Sequence, residues 1–563
     1  MRDHPGIVLT RHFFTSLLDF GFLSDDGAES LKRALLGSLA VAVALGLLLT
    51  RVYMKKYGML SAGPIDAYAH ELTADHAFLM AVPMWFVAGA VALVGHSLFP
   101  DQTDFRILMA EPLSRLTIFT SKLVALLIFV GLVAAGTHLA LLPLTALTMI
   151  GALKTGTMLT TAMAFGVSSL SASLFAALAV VAVHGLLVTF ALHARVLALS
   201  GAVKSVLVGV LVLCVPLIAR LPGTAIAFAS GAPWLWWAPP AWFVGLERWL
   251  IGDGRHAALA AQAAVATVVV LIVSVASYVQ LYRRFDRVML QPASSRSGPG
   301  WRRSLAKWVG RVPVRHAIRR FVAITVRRSV LHQGLIVGLL AAAGGFVLNA
   351  LLNATGWNQP IDLGRRSPFL LTVLWAPTTM MLLSIPAVRL ALAVPLDLRS
   401  NWIFRMTEDV AGRAEIAAAS VRIVLALGVA LPLALIGPVQ WWVLGRSAAP
   451  IIALEGLIGW LVVEWVMADW RRIPFTCSFI PGKGFVPQMF VKAFAIYVFF
   501  TTATMIVLRI SLARPRAGLV VAIMVAAAAA ALSLQRTRHA PLTPLLFDDE
   551  LPTDVNPLRL NVD

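Results

Sequence analysis

Few side chains in this 563-residue chain stand where they could do chemistry, and those that do lie inside long apolar runs. Glu455 and Glu464 share one run, His138 and His184 occupy two others, and Arg389 sits near the end of a fourth. A charge held in hydrocarbon is costly, so each is a candidate for an ion path, a proton relay or an interhelical bond. Glu464 is the strongest candidate, either for coupling or for a structural hydrogen bond to a neighbouring helix. The histidines are placed to pair with one another, and a neutral imidazole is far cheaper to bury than an ion, which favours a structural role. Arg389 is long enough to snorkel, and Asp469 falls at the interface.

The motifs of covalent, metal and nucleotide chemistry are missing. There is no HExxH, no paired-cysteine spacing and no GxSxG in a strand–turn–helix context. Gly482-Lys483-Gly484 lacks the other parts of a phosphate-binding loop. Cys214 and Cys477 are isolated thiols with structural roles. A membrane-embedded enzyme would need acids or metal ligands converging on one face, and none lie close together. The expectation is a chain that is not itself an enzyme and has no cofactor of its own. Its energy comes from a partner that hydrolyses ATP or from an ion gradient.

The elements that must position these residues follow from composition. Hydrophobic residues make up 59% of the chain and charged ones 13%, with a mean hydropathy of +0.83. That is half the charge a soluble domain uses to coat itself. An all-α, polytopic membrane protein is implied, because a lipid-embedded backbone must bond within its own segment. Runs long enough to cross the membrane start at Ala34, Ala77, Leu123, Ser168, Val206, Ala257, Val330, Phe369, Val421, Ile451, Val491 and Leu519. They give about twelve transmembrane helices at some 20 residues each. The first run, lacking a convincing cleavage site, reads as a retained anchor rather than a signal peptide.

The net charge of +20 would suggest nucleic acid in a soluble protein. Here most of the 47 lysines and arginines fall on one side of the membrane if both termini are cytoplasmic. The lipid bilayer, not nucleic acid, is therefore the expected partner of the basic residues, with the chain a multi-pass protein of the cell membrane. The segment from Arg283 to Arg328 is dense in arginine, with Asp286 its single acid, and holds a Pro/Gly/Ser-rich stretch at 291–300. It divides the chain into a first transmembrane half at 1–285, a basic linker with an amphipathic helix at 286–329, a second half at 330–534 and a tail at 535–563. Equal, even numbers of spans give the halves the same orientation, as in parallel repeats.

Four features lie beside the spans. Amphipathic stretches precede each half, at Arg11–Phe20 and Val312–Val330, and basic residues opposite an apolar stripe suit the membrane interface. Trp234-Leu-Trp-Trp-Ala-Pro-Pro-Ala-Trp-Phe243 predicts an outer re-entrant or interfacial hairpin, since its prolines forbid one continuous helix. The cytoplasmic loop from Asp101 to Lys122 mixes Asp104, Arg106 and Glu111 with apolar residues, and Ser114 is placed to cap a helix entering the third span. Its counterpart, from Asp397 to Glu415, interleaves Arg399, Arg405, Glu408 and Asp409 with Trp402. Both are surfaces that a soluble partner could grip.

The run Glu111-Pro-Leu-Ser-Arg-Leu-Thr-Ile-Phe-Thr-Ser-Lys122 resembles the membrane subunits of type-2 ABC exporters, through Pro112, Ser114, Arg115 and Lys122. The resemblance implies that the segment before Pro112 is a coupling helix against a cytoplasmic ABC ATPase. It also implies an interfacial helix before the first span and re-entrant helices between the fifth and sixth. ATP would then be bound by the partner, present in two copies, and this chain would be the permease subunit. The second half lacks the Pro-x-Ser-Arg pattern, and its last outer loop is too short for re-entrant helices. The alternative expectation is an ion-coupled secondary transporter using Glu464.

Overall fold

Every element among the described residues of this computed structural model is helical, as the backbone's demand for partners in lipid requires. The structure describes residues 5–18, 44, 46–60, 65–94, 113–150, 152, 157–190, 196–289, 313–355, 367–395, 401–406, 408–476 and 486–547. The chain forms two compact units, Met1–Ser295 and Arg296–Asp563.

In the first unit, α1 (Pro5–Leu18) is followed by α2 (46–60), α3 (Ile65–Val94), α4 (Arg115–Thr148), α5 (Met158–Phe190) and α6 (Val196–Arg220). Two short helices come next, α7 (Ala225–Ser230) and α8 (Pro239–Leu250), and then the long α9 (Ala257–Met289). α3 is the central helix: 72% of its most apolar window is buried. α4 begins where the sequence places it, with the Ser114 hydroxyl accepting from Thr117 N at 3.1 Å. α1 lies along the start of α4, burying Leu9 and Phe13 against Ile118, Ala125 and Phe129.

The Trp-rich segment is a hairpin of short helices, as its prolines predict. Gly231, at φ 64°, closes α7 in the left-handed conformation, a 3₁₀ turn carries Pro233–Trp237, and Pro240 lies in the first turn of α8. α8 has 12 residues, too few to span a bilayer. It turns back into the bundle, where Phe243 packs 5.6 Å from Phe175 of α5. At Gly245 the approach of α9 is so close that a Cβ would lie 2.5 Å from that of Leu259.

The second unit contains α10 (Pro313–Arg328), α11 (Val330–Thr355), α12 (Pro368–Ala393), the short α13 (Asn401–Met406), α14 (Val410–Leu425), α15 (Leu431–Leu444), α16 (Ala448–Val466), α17 (Val486–Ala513) and α18 (Pro515–His539). α12 is central, with 72% of its window buried, whereas α18 buries 6% of its own and leaves Leu519, Ile523 and Met524 outward. A π-helical turn, Ala426–Ala430, joins α14 to α15. Pro432 cannot donate to the carbonyl four residues back, that of Gly428, and the Ser384 hydroxyl donates to it instead at 2.9 Å. The chain past α16 returns to the core at Phe475, whose φ of 68° is rare for so bulky a residue. Its N–H donates to Leu392 O at the end of α12, and its ring packs against Phe321 and His332.

Nine helices among the described residues are long and apolar enough to cross a membrane. The chain is a polytopic, all-helical membrane protein. The count differs from the expected twelve at three places. Most of the first expected span lies outside the described residues. The stretch Gly412–Val466 counts once but folds back at Gly445, φ 56°, so that Leu433 meets Gly456 and Gly437 meets Ile452. The eleventh belongs to α17 and is counted over Tyr497–Ala513 alone, the part of that helix whose side chains are described. Between Leu123 and Ala194 the described residues hold two helices, α4 and α5, on either side of Lys154. The outermost residues of both termini are not among those described; residues 540–547 continue past α18 and add Leu545 and Phe547 to the core.

Candidate functional site

The densest buried polar cluster forms where the C-terminal ends of α2 and α4 meet the N-terminal half of α3. No Gly or Pro interrupts residues 65–82, so the helix of the second span starts well before its apolar run and carries Glu71, Asp75 and His76. Glu71 and Asp75, four residues apart, share one face. Lys56 of α2 bridges them, its Nζ 2.7 Å from Glu71 Oε2 and 2.8 Å from Asp75 Oδ2. Tyr57 and Tyr53 also donate to Asp75, at 2.7 and 3.3 Å. Burial opposes the charge on Lys56, but its bonds to Asp75 and Glu71 outweigh burial and hold its pKa above the ordinary lysine value.

The adjacent His76 faces the hairpin of α7 and α8. Its Nδ1 lies 2.7 Å from Glu247 Oε1 on α8, and its Nε2 lies 3.0 Å from Thr148 Oγ1 at the end of α4. The Thr148 hydroxyl donates to Thr145 O, so it accepts from His76 and Nε2 carries a hydrogen. One further proton is shared between Nδ1 and Glu247. Whichever atom holds it, the pair is neutral overall, which is what allows two fully buried ionisable groups in a membrane bundle. Phe165 of α5 closes the site with its ring 4.7 Å from the imidazole. Glu247 Oε2 and the Nε and Nη2 of Arg248 are buried without hydrogen-bond partners. The pair locks the hairpin to the central helix.

The predicted intramembrane residues are each accounted for. Glu464 of α16 accepts from Arg536 Nε of α18 at 2.8 Å and from Trp460 Nε1 at 3.2 Å, a buried ion pair between helices. Glu455, also buried, accepts from Gln440 Nε2 of α15 at 3.0 Å, and its Oε2 has no partner. The same Gln440 amide donates to Val373 O, the carbonyl that Pro377 leaves without a helical donor. Arg389 pairs with Asp469 at 2.9 Å at the end of α12. The expected His138–His184 pair does not form. His138 Nδ1 donates to Ala134 O at 2.7 Å and Nε2 accepts from the Ser169 hydroxyl at 2.8 Å, so these local partners satisfy both nitrogens of a neutral ring, while His184 is buried elsewhere on α5.

The loop from Asp101 to Lys122 is described only in part. Asp101, Asp104, Arg106, Glu111 and Pro112 lie outside the described residues, as does the side chain of Arg115. Ser114 is the helix cap, and Lys122 is buried under α1 with its ammonium 4.9 Å from the Phe13 ring. Gly6 O accepts from the neighbouring Ser121 at 3.1 Å. In the second loop Asp397 and Arg399 are outside the described residues. Trp402 is 60% exposed on α13, and Arg405 covers the Phe547 ring. Glu408 accepts from Arg413 at 2.8 Å and from Leu545 N, and Asp409 precedes α14 without a side-chain cap bond.

No family model, curated protein or solved structure matches the chain. What can be said of function is carried by the geometry above, which is consistent with membrane transport. Sequence reasoning missed Lys56, Asp75, His76 and Glu247. The uninterrupted 65–82 stretch is the signal that could have found Asp75 and His76.

Proposed function

We propose that the chain is the permease subunit of an ATP-driven exporter of the type-2 ABC class, seated in the cell membrane and driven by two copies of a separate cytoplasmic ATPase. The observation that carries this reading is the clamp of α1 on the start of α4. Lys122, Ser121 and the Phe13 ring tie an interfacial helix to the span that leaves the first cytoplasmic loop. A push on that loop by a closing ATPase would be passed to the bundle as a rigid movement rather than absorbed by a loose joint. The hairpin of α7 and α8 between the fifth and sixth spans supports the same reading, since it seals the outer end of the unit around His76 and Glu247. In this scheme ATP is hydrolysed by the partner, and Arg106 and Glu111, with Arg405 and Glu408 in the second loop, face it.

The test is co-purification of the full chain with an ATPase encoded beside it, followed by substitution of Arg106 and Glu111. Loss of ATPase association with the bundle still folded is expected. Unchanged association and unchanged transport would overturn the coupling role. An ion-coupled carrier is the second reading, and one observation favours it: Glu455 keeps a buried oxygen unbonded. Glu464 serves that reading less well, because Arg536 already compensates its charge. Transport abolished by a protonophore and by Glu455→Gln, with ATP irrelevant, would select the carrier.

A further inference from the structure

Four arginines from three helices converge at the cytoplasmic end of the second unit. α10 brings Arg315 and Arg319, α14 brings Arg422, and α18 brings Arg536. Arg422 is near enough to the other three for their charges to act on one another. Two carboxylates answer them: Glu415 pairs with Arg315, and Glu464 pairs with Arg536. The cluster thus keeps two positive charges in surplus. Arg319 Nε and Arg536 Nη1 are buried N–H donors without a hydrogen-bond partner. Unmatched guanidiniums crowded together repel, and buried donors left unbonded cost more still.

The level of the cluster narrows what would satisfy it. Glu415 lies in the second turn of α14 and Arg422 in its last, just before the π turn that leads into α15, and Arg536 and Glu464 lie in the last turns of α18 and α16. α10 sets Ile318 and Val322 into the core, and Arg315 and Arg319, four residues apart, border that same face, Arg315 reaching Glu415 of α14 and Arg319 keeping its Nε buried. All of this belongs to the depth of the headgroups. A planar guanidinium gives two parallel N–H bonds to a phosphate, and basic pockets between helices at the cytoplasmic surface suit anionic headgroups. We propose that Arg319, Arg422 and Arg536, with Arg315 beside them, form a binding site for the phosphate of an anionic phospholipid of the cytoplasmic leaflet.

The full chain is purified in detergent from membranes, reconstituted with a mixture of phosphatidylglycerol and phosphatidylcholine, re-extracted, and its retained lipid identified by native mass spectrometry. Selective retention of phosphatidylglycerol is expected. Arg319→Gln and Arg422→Gln should each weaken retention about fivefold, the scale of one basic residue against an anionic surface. Arg320→Gln, an exposed neighbour on the same helix, should leave it unchanged. Inorganic phosphate is the second probe. If it raises the melting temperature as phosphatidylglycerol does while no lipid is retained, the source is free phosphate and the lipid assignment falls. Equal retention of both lipids, or retention indifferent to Arg319→Gln and Arg422→Gln, overturns the site. Should those variants not fold, release of phosphatidylglycerol from the wild type by rising salt is expected, and retention insensitive to salt rejects the proposal.

Discussion

Glu464 illustrates what burial does to a single ionisable residue. In the sequence it is an acid in an apolar run, equally suited to carry a proton or to bond a neighbour. In the fold both its oxygens accept from Arg536, 72 positions along the chain. Removing one partner strands the other charge, so Glu464→Ala and Arg536→Ala should each destabilise the second unit by about 3–5 kcal/mol. Replacing both by leucine should cost far less, since no lone charge remains. Thermal unfolding of the purified chain in detergent reads this directly, and equal losses in single and double variants would show that the pair is not coupled. The same residue marks how far the sequence could be read. Hydropathy exposes an acid inside a run of leucine and valine, so Glu455 and Glu464 were legible. Asp75 and His76 were not, because they precede the apolar run, and a boundary drawn by hydropathy at Ala77 assigns them to a loop. Glu247 is worse hidden: its partner His76 is 171 residues away, and no local pattern links them.

At the scale of elements, helices were legible from their apolar length, and the start of α4 from Ser114. What sequence could not give is where two helices touch closely enough to forbid a side chain. Gly245 on α8 is such a place. A methyl group there would meet Leu259 Cβ at 2.5 Å, Ala260 N at 2.9 Å and His256 O at 3.1 Å, two of them backbone atoms that cannot rotate away. Gly245→Ala should therefore push α8 off α9 and destabilise the first unit by about 1–3 kcal/mol. Gly166, in α5, has open space where its Cβ would be, and Gly166→Ala should stabilise by up to about 1 kcal/mol through backbone entropy. Melting of the two variants side by side checks this, and a neutral Gly245→Ala would contradict the close approach. Prolines are another case of element-scale logic. Pro377 and Pro432 each leave a carbonyl unpaired, and Gln440 and Ser384 each supply the missing donor. A proline is visible in the sequence, but the residues that supply the missing donors come from other helices.

The whole molecule repeats one plan. In each unit an amphipathic helix, α1 or α10, precedes the long helices and packs against α4 or α14, which follows the loop of residues 101–114 or 397–409. In each, the second long helix is the most buried. Among the described residues, the short helices α7 and α8 of the first unit depart from this plan. The order of helices also fixes which groups share an end. Asp253, which follows α8, belongs with the His76–Glu247 end of the first unit, and Arg255 holds its carboxyl down at about 2, so it stays ionised and hydrated. Asp469 belongs with the Arg389 and Arg536 end of the second. The positive-inside bias assigns the first end to the outside and the other to the cytoplasm. With Cys214 and Cys477 replaced by serine, Asp253→Cys should react with an impermeant maleimide added to intact cells, and Asp469→Cys only after the membrane is opened. The reverse labelling would invert the topology and put the arginine cluster on the outer leaflet. Labelling of both from one side would require an even number of crossings between them, and with it a different pairing of the helices from Ala257 to Val466.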